Sequence, residues 1–201
     1  MTRQTDAPAK REQAAEHDTG SDGFRSDAAA TYAVLAECWR EPTEQLIDAI
    51  ETGELVPVVG DIDSVDLRRL RAEYTRLFIG PAGPPCPPYE SVHRDGDDPD
   101  ELGPVNGPAT MAVVRWYSEF GVQPAADHPD LPDHIATELE FAAYLAEAGL
   151  NEQLDQFLSE HLAAWADAFL RQVEAETREA FYASLAATTR EVLSQSQTAG
   201  H

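Results

Sequence analysis

Asn151-Glu-Gln-Leu-Asp-Gln-Phe-Leu-Ser-Glu-His-Leu-Ala-Ala-Trp-Ala-Asp-Ala-Phe169 sets its large side chains at helical spacing. Leu154, Phe157, Leu158, His161, Leu162, Trp165 and Phe169 recur at steps of three and four, the period of one helix face. Asn151 suits the cap of such a helix, because its side-chain oxygen can take a free backbone N–H. Just before it, Gly149 stops a helix read from about Asp133 to Ala148. After it, Thr177 caps a last helix carrying Phe181, Leu185 and Val192.

The same period extends toward the N-terminus. Ser26 can cap a first helix, with Tyr32, Leu35 and Trp39 on one stripe. Pro42 fits the first turn of a second helix, Gly53 its stop, and Leu46, Ile47 and Ile50 its apolar face. Asp63 or Ser64 can cap a third, followed by Leu67, Leu70, Tyr74, Leu77 and Phe78. From Gly80 to Pro108 the chain carries eight prolines and five glycines, so helix is excluded from most of that stretch. A loop of this length inside a domain is more often functional than not. Helix resumes at Pro108, with Met111, Val114, Trp116 and Tyr117, and stops at Gly121. Residues 122–132 form a second Pro-rich loop. Leu55–Val59 is apolar, but Pro57 argues against a strand. The expected fold is an all-α, single-domain bundle of about seven helices with one long Pro/Gly-rich loop. Residues 1–25 read as a disordered acidic tail, 26–196 as the helical domain and 197–201 as a frayed C-terminus.

The 201 residues carry 14 Lys and Arg against 37 Asp and Glu, a formal charge of −23. Lys10 is the one lysine. So acidic a surface argues against a nucleic-acid partner, which needs a clustered basic footprint. It argues against an anionic membrane surface as well. The regular apolar spacing excludes global disorder. Adaptation to high internal salt accounts for the charge, since molar salt shortens the Debye length to ~3 Å and screens self-repulsion. Cys38 and Cys86 are far apart and read as two reduced thiols. Met1–Gly23 lacks the apolar core of a targeting segment, and no apolar run reaches the ~20 residues of a membrane span. A cytoplasmic location follows.

Little chemistry is visible. No phosphate loop and no Gly-x-Ser-x-Gly elbow occur. Glu90 and His93 give a single Glu-x-x-His, where a di-iron bundle needs two. His134 and Glu138 are one helical turn apart and can share a metal, which leaves a metal-dependent helical hydrolase as an alternative. Equally, Asp133 after Pro132 can cap a helix, with His134 in its first turn. His161 and Trp165 read as core, the imidazole hydrogen-bonded. What remains is an apolar helical scaffold broken by a Pro/Gly loop, suited to receive an apolar helix or an extended peptide. A helical adaptor without a peptide groove is the further alternative.

Three stretches carry a resemblance. Glu73-Tyr-Thr-Arg-Leu-Phe-Ile-Gly-Pro-Ala-Gly-Pro-Pro-Cys-Pro-Pro-Tyr-Glu-Ser-Val92 looks like the signature loop of the TorD/DmsD family. Leu131-Pro-Asp-His-Ile-Ala-Thr-Glu-Leu-Glu-Phe141 resembles its second signature, with Ala142 where the family usually has a larger apolar residue. Phe157-Leu-Ser-Glu-His-Leu-Ala-Ala-Trp165 resembles the third. The three occur in the family's order, and the resemblance spans about Ala28 to Val192. It implies an all-helical chaperone of molybdenum-cofactor oxidoreductases, not an enzyme, present as a monomer or a domain-swapped dimer. Such a chaperone binds the twin-arginine leader of an apo-molybdoenzyme of the DMSO/TMAO reductase type and delays export until cofactor is inserted. A nitrate-reductase-type assembly chaperone is the runner-up. The molybdenum cofactor would belong to the partner. Guanine-nucleotide binding, known for some members, has no phosphate motif behind it here. The resemblance assigns leader binding to Pro88, Tyr89, Ser91, Asp133 and His134, and loop shaping to Gly80 and Pro81. Glu138, His161 and Trp165 take secondary or structural roles.

Overall fold

A computed structural model describes residues 19–62, 65–80, 83–96, 102–123 and 130–199, with side chains described within 28–196. Among them are ten helices and no β-sheet. In order these are α1 (Thr19–Cys38), α2 (Glu44–Glu51), α3 (Val56–Val59), α4 (Leu67–Tyr74), α5 (Glu90–Arg94), α6 (Pro108–Glu119), α7 (Ile135–Glu147), α8 (Asn151–Glu160), α9 (Leu162–Glu176) and α10 (Ala180–Ala199). α4 runs on into a single π turn, Thr75–Ile79.

Three short features raise the count above seven. Leu55–Val59 closes into one helical turn, with Pro57 in its first turn, where no N–H is missed. α5 forms inside the Pro/Gly stretch. The long helix read through His161 is broken there, at backbone angles of −115° and −92°, into α8 and α9. α1 starts at Thr19, so Ser26 lies within it; the tail expected before it falls outside the described residues up to residue 18. Asp63 and Ser64 also lie outside the described residues, and the cap of α4 is Asp66, which accepts from Arg69 N at 2.8 Å. Thr43 caps α2, accepting from Leu46 N at 3.2 Å. Pro108 is the first residue of α6, as the missing N–H allows.

α1 packs along α7, and α9 along α10. Their apolar stripes meet in a core in which Leu35, Leu77, Leu139, Leu145, Phe157 and Leu170 are fully buried. Each such side chain contributes about 1.5–3 kcal/mol on leaving water. Trp39, just past the end of α1, has its ring 5.2 Å from Phe169, and its indole N–H donates to Thr189 Oγ1 of α10 at 3.1 Å. Phe78 of the π turn reaches Tyr182 edge-on at 5.5 Å. Cys38 and Cys86 are free and buried, and burial pushes both thiols up to about 12. No described helix is long and apolar enough to cross a membrane.

Candidate functional site

The Pro/Gly stretch is anchored by backbone bonds to the start of α7. Ile135 N donates to Pro88 O at 3.0 Å, and Glu90 N to Asp133 O at 2.9 Å, so Tyr89 and His134 form an isolated antiparallel bridge. Asp133 then caps a helix, but not its own. Its Oδ2 accepts from Ser91 N in the first turn of α5 at 3.0 Å. α7 is capped by His134, whose Nδ1 accepts from Ala136 N at 3.1 Å. That bond needs an unprotonated Nδ1, and burial drives the ring's pKa down to about 4. The Tyr89 ring stands edge-on to this imidazole at 5.4 Å.

Beneath the junction lies a buried polar group. Glu90 is fully buried, yet its carboxylate accepts from His161 Nδ1 at 2.9 Å and from Arg94. Arg94 also donates to Glu160 O, the last carbonyl of α8, at 2.9 Å. The break at His161 thus places its ring on Glu90, and Arg94 ties α5 to the end of α8. Glu138 is fully buried too; its Oε2 accepts the Trp165 indole N–H at 3.3 Å, while Oε1 meets no donor. Burial first, and the neighbouring Glu90 carboxylate second, raise the Glu138 pKa well above the carboxylate range. His93 stacks on Trp165 at 5.3 Å and bonds Pro87 O through Nε2 at 2.8 Å, burial lowering its pKa.

The rest of the loop is held by the same short helix. Ser91 Oγ accepts from Asn106 N at 3.2 Å, and Asp95 Oδ2 accepts from Ala109 N at 2.9 Å, capping α6. Gly103 N donates to Val92 O at 2.8 Å, so close that a Cβ on Gly103 would lie 2.5 Å from the Asp95 carbonyl carbon. Only glycine fits there.

The three signature stretches, far apart in sequence, therefore meet in one place. Tyr89, Ser91, Asp133, His134, Glu138, His161 and Trp165 all belong to it. Pro88, Ser91, Asp133 and His134 are buried, so their side chains reach a peptide only if the junction opens; Tyr89 is half-buried. Gly80 lies apart, closing the π turn by donating to Thr75 O at 2.8 Å. Pro81 lies outside the described residues. Arg94 is the residue that sequence reasoning missed, and Glu90 was weighed there only as half of a Glu-x-x-His motif. The advance signal for the pair was the four-residue spacing of opposite charges.

The chemistry of the site is that of a scaffold. Its three imidazoles each make a structural hydrogen bond. No three His, Cys, Asp or Glu among the described residues are set to hold a metal ion. His134 uses Nδ1 to cap α7, and Glu138 Oε2 faces the Trp165 indole, so the geometry lends no support to the metal pair considered from spacing.

Similarities to known proteins cover this part of the chain. Residues 33–171 match the nitrate reductase delta subunit family, a span holding the whole junction. The Tat proofreading chaperone DmsD of Salmonella typhi is 32% identical over 121 residues, covering 60% of this chain and 57% of that protein. The chlorate reductase assembly chaperone protein of Ideonella dechloratans is 30% identical over 152 residues, 69% of this chain and 68% of that one. A crystal structure described as a redox enzyme maturation protein from Archaeoglobus fulgidus superposes with a TM-score of 0.61 at 25% identity, covering 92% of this chain and 99% of that one. The chain spans just over half the length of the Salmonella relatives it matches.

Proposed function

Since the chain belongs to the nitrate reductase delta subunit family, among the TorD/DmsD chaperones of redox-enzyme maturation, we propose that it is a dedicated chaperone of a molybdopterin oxidoreductase. It binds the twin-arginine leader of the apoenzyme in the cytoplasm and assists cofactor insertion before export. The molybdenum cofactor stays with the client. The observation that carries this reading is the convergence of Pro88–Ser91, Asp133–Glu138 and His161–Trp165 on one junction, with Tyr89 half-exposed at its edge.

A buried polar network is an expensive way to stabilise a core, and it fits a surface that must keep one shape. Asp133 and His134 hold the ends of α5 and α7, and Tyr89 is fixed between them. A tyrosine in this setting offers a rigid contact with an apolar body and a polar tip. The Glu90–His161–Arg94 group locks the platform from below.

A second reading, a client of the nitrate, chlorate or selenate reductase type, draws on the two assembly chaperones named for chlorate and selenate reductases. Co-expression with candidate clients, each with and without its leader, tests both. We expect one client to co-purify with the chaperone and to be lost on leader removal or on Tyr89→Ala. Equal recovery with and without the leader overturns leader recognition. Recovery of no molybdoenzyme by a demonstrably folded protein overturns the chaperone assignment.

A further inference from the structure

Beside the junction, between the end of α6 and the first turns of α7, lies a pocket of about 240 Å³. It is lined by Tyr117, Val122, Thr137, Glu140, Phe141 and Tyr144. Its wall is aromatic: Phe141 lies 4.7 Å from Tyr117, 5.8 Å from Phe120 and 6.0 Å from Tyr144. Tyr144 is an exposed large apolar residue in an otherwise well-covered helix. The volume falls below the roughly 300–1,000 Å³ of small-molecule sites. It matches a single large side chain instead.

The lip of the pocket is charged. Glu140 pairs with Arg40 at 2.8 Å, and Arg40 also reaches Asp130 at 3.5 Å and Glu37 at 3.4 Å. Three carboxylates surround one guanidinium, so the cluster carries two net negative charges. Arg40 is mostly buried among them, while Glu140 is half-exposed and open to a second cation. Tyr117 connects this region to the junction, since its hydroxyl donates to Pro132 O at 2.8 Å, one residue before Asp133. The Asp130 charge is felt by both Tyr89 and His134.

We propose that this pocket receives a bulky apolar side chain of the client leader, with a neighbouring arginine of the leader paired to Glu140. This rests on the leader-binding reading above and gives it a second contact away from Tyr89. The local charge of the lip selects the occupant. At contact distance its carboxylates favour a cationic group over the acidic surface of a second copy of this chain or an anionic lipid headgroup. An arginine beside an aromatic or branched residue satisfies both halves of the site, and the guanidinium also gains from the tyrosine ring faces.

The test is calorimetric titration of the full chain and three variants, Tyr144→Ala, Glu140→Gln and Tyr89→Ala, with the client's leader peptide. A second peptide has the bulky apolar residue nearest the arginines changed to alanine. Tyr144→Ala should raise Kd about fivefold to tenfold for the native leader and leave the alanine peptide unchanged. Glu140→Gln should raise it by a smaller factor and weaken the preference for arginine over a neutral residue. If the native chain and both pocket variants bind alike while Tyr89→Ala loses binding, the pocket is not a leader subsite and the chaperone reading stands. If the native chain binds no leader at all, that reading falls and the pocket assignment falls with it.

Discussion

His161 Nδ1 lies 2.9 Å from the Glu90 carboxylate, in a part of the protein where both side chains are buried. The pair joins the α8–α9 break to the loop helix α5, and Arg94 closes it from the outside. Removing one partner leaves an uncompensated buried polar group, which typically costs about 3–5 kcal/mol. Glu90→Ala should therefore lower the unfolding free energy by that amount, and Glu90→Gln by clearly less. Chemical unfolding of both variants checks this. A Glu90→Ala protein within about 0.5 kcal/mol of the parent, the range of an ordinary surface substitution, contradicts it.

Glu138 predicts a pH effect of opposite sense to the usual carboxylate. In the unfolded chain it ionises near pH ~4.3. In the fold it keeps its proton to much higher pH, through burial and the Glu90 charge. Above pH ~4.3 the folded state therefore binds more protons than the unfolded one, so this group makes stability fall as pH rises. Glu138→Gln removes that slope and keeps an acceptor for Trp165. Its stability relative to the parent should improve steadily from pH 5 to pH 8. A difference that does not change with pH would show Glu138 to be ionised in the fold.

His134 acts the other way. Unfolded, it takes a proton near pH ~6.5; folded, it resists until about 4. Stability from this group is complete above pH ~6.5 and is lost as pH falls toward 4, by up to about 3 kcal/mol. Asparagine can cap α7 as His134 does, but cannot titrate. His134→Asn should flatten the acid side of the stability curve, and His134→Ala should in addition lose about 1 kcal/mol of capping at every pH. Thermal unfolding between pH 4 and 7 separates the two; an unchanged acid limb in His134→Asn assigns the loss to other groups.

The helical architecture was legible because apolar period and cap chemistry agree along most of the chain. Pro108, Gly121 and Gly149 bound their helices close to where their backbone chemistry requires. Three features were not legible. The turn at Leu55–Val59 and the five residues of α5 are too short to show a period. The break at His161 was hidden because Phe157, Leu158, Leu162 and Trp165 keep helical spacing across it, while the bond that goes with the break runs to Glu90, 71 positions away. At the site, the motifs named the residues, but burial could not be read from them. Asp133 was expected to cap the helix that follows it and instead caps α5, 42 positions back in sequence. Such a partner is a tertiary fact with no local signal.

The charge of −23 gives a salt prediction. Carboxylates repel across the surface at 0.1 M salt, where the Debye length is ~10 Å, and much less at 1 M, where it is ~3 Å. The melting temperature should climb from 0.1 to 2 M KCl. A flat or falling melting temperature removes the case for adaptation to high salt.

The most direct test of the central claim is calorimetric titration, in molar KCl, of the protein with the twin-arginine leader of a molybdoenzyme from the same genome. The account predicts saturable binding that holds or rises with KCl, because apolar burial carries it, and that is lost on Tyr89→Ala with the fold intact. No binding to any such leader by the folded protein, or binding indifferent to Tyr89→Ala, would contradict it.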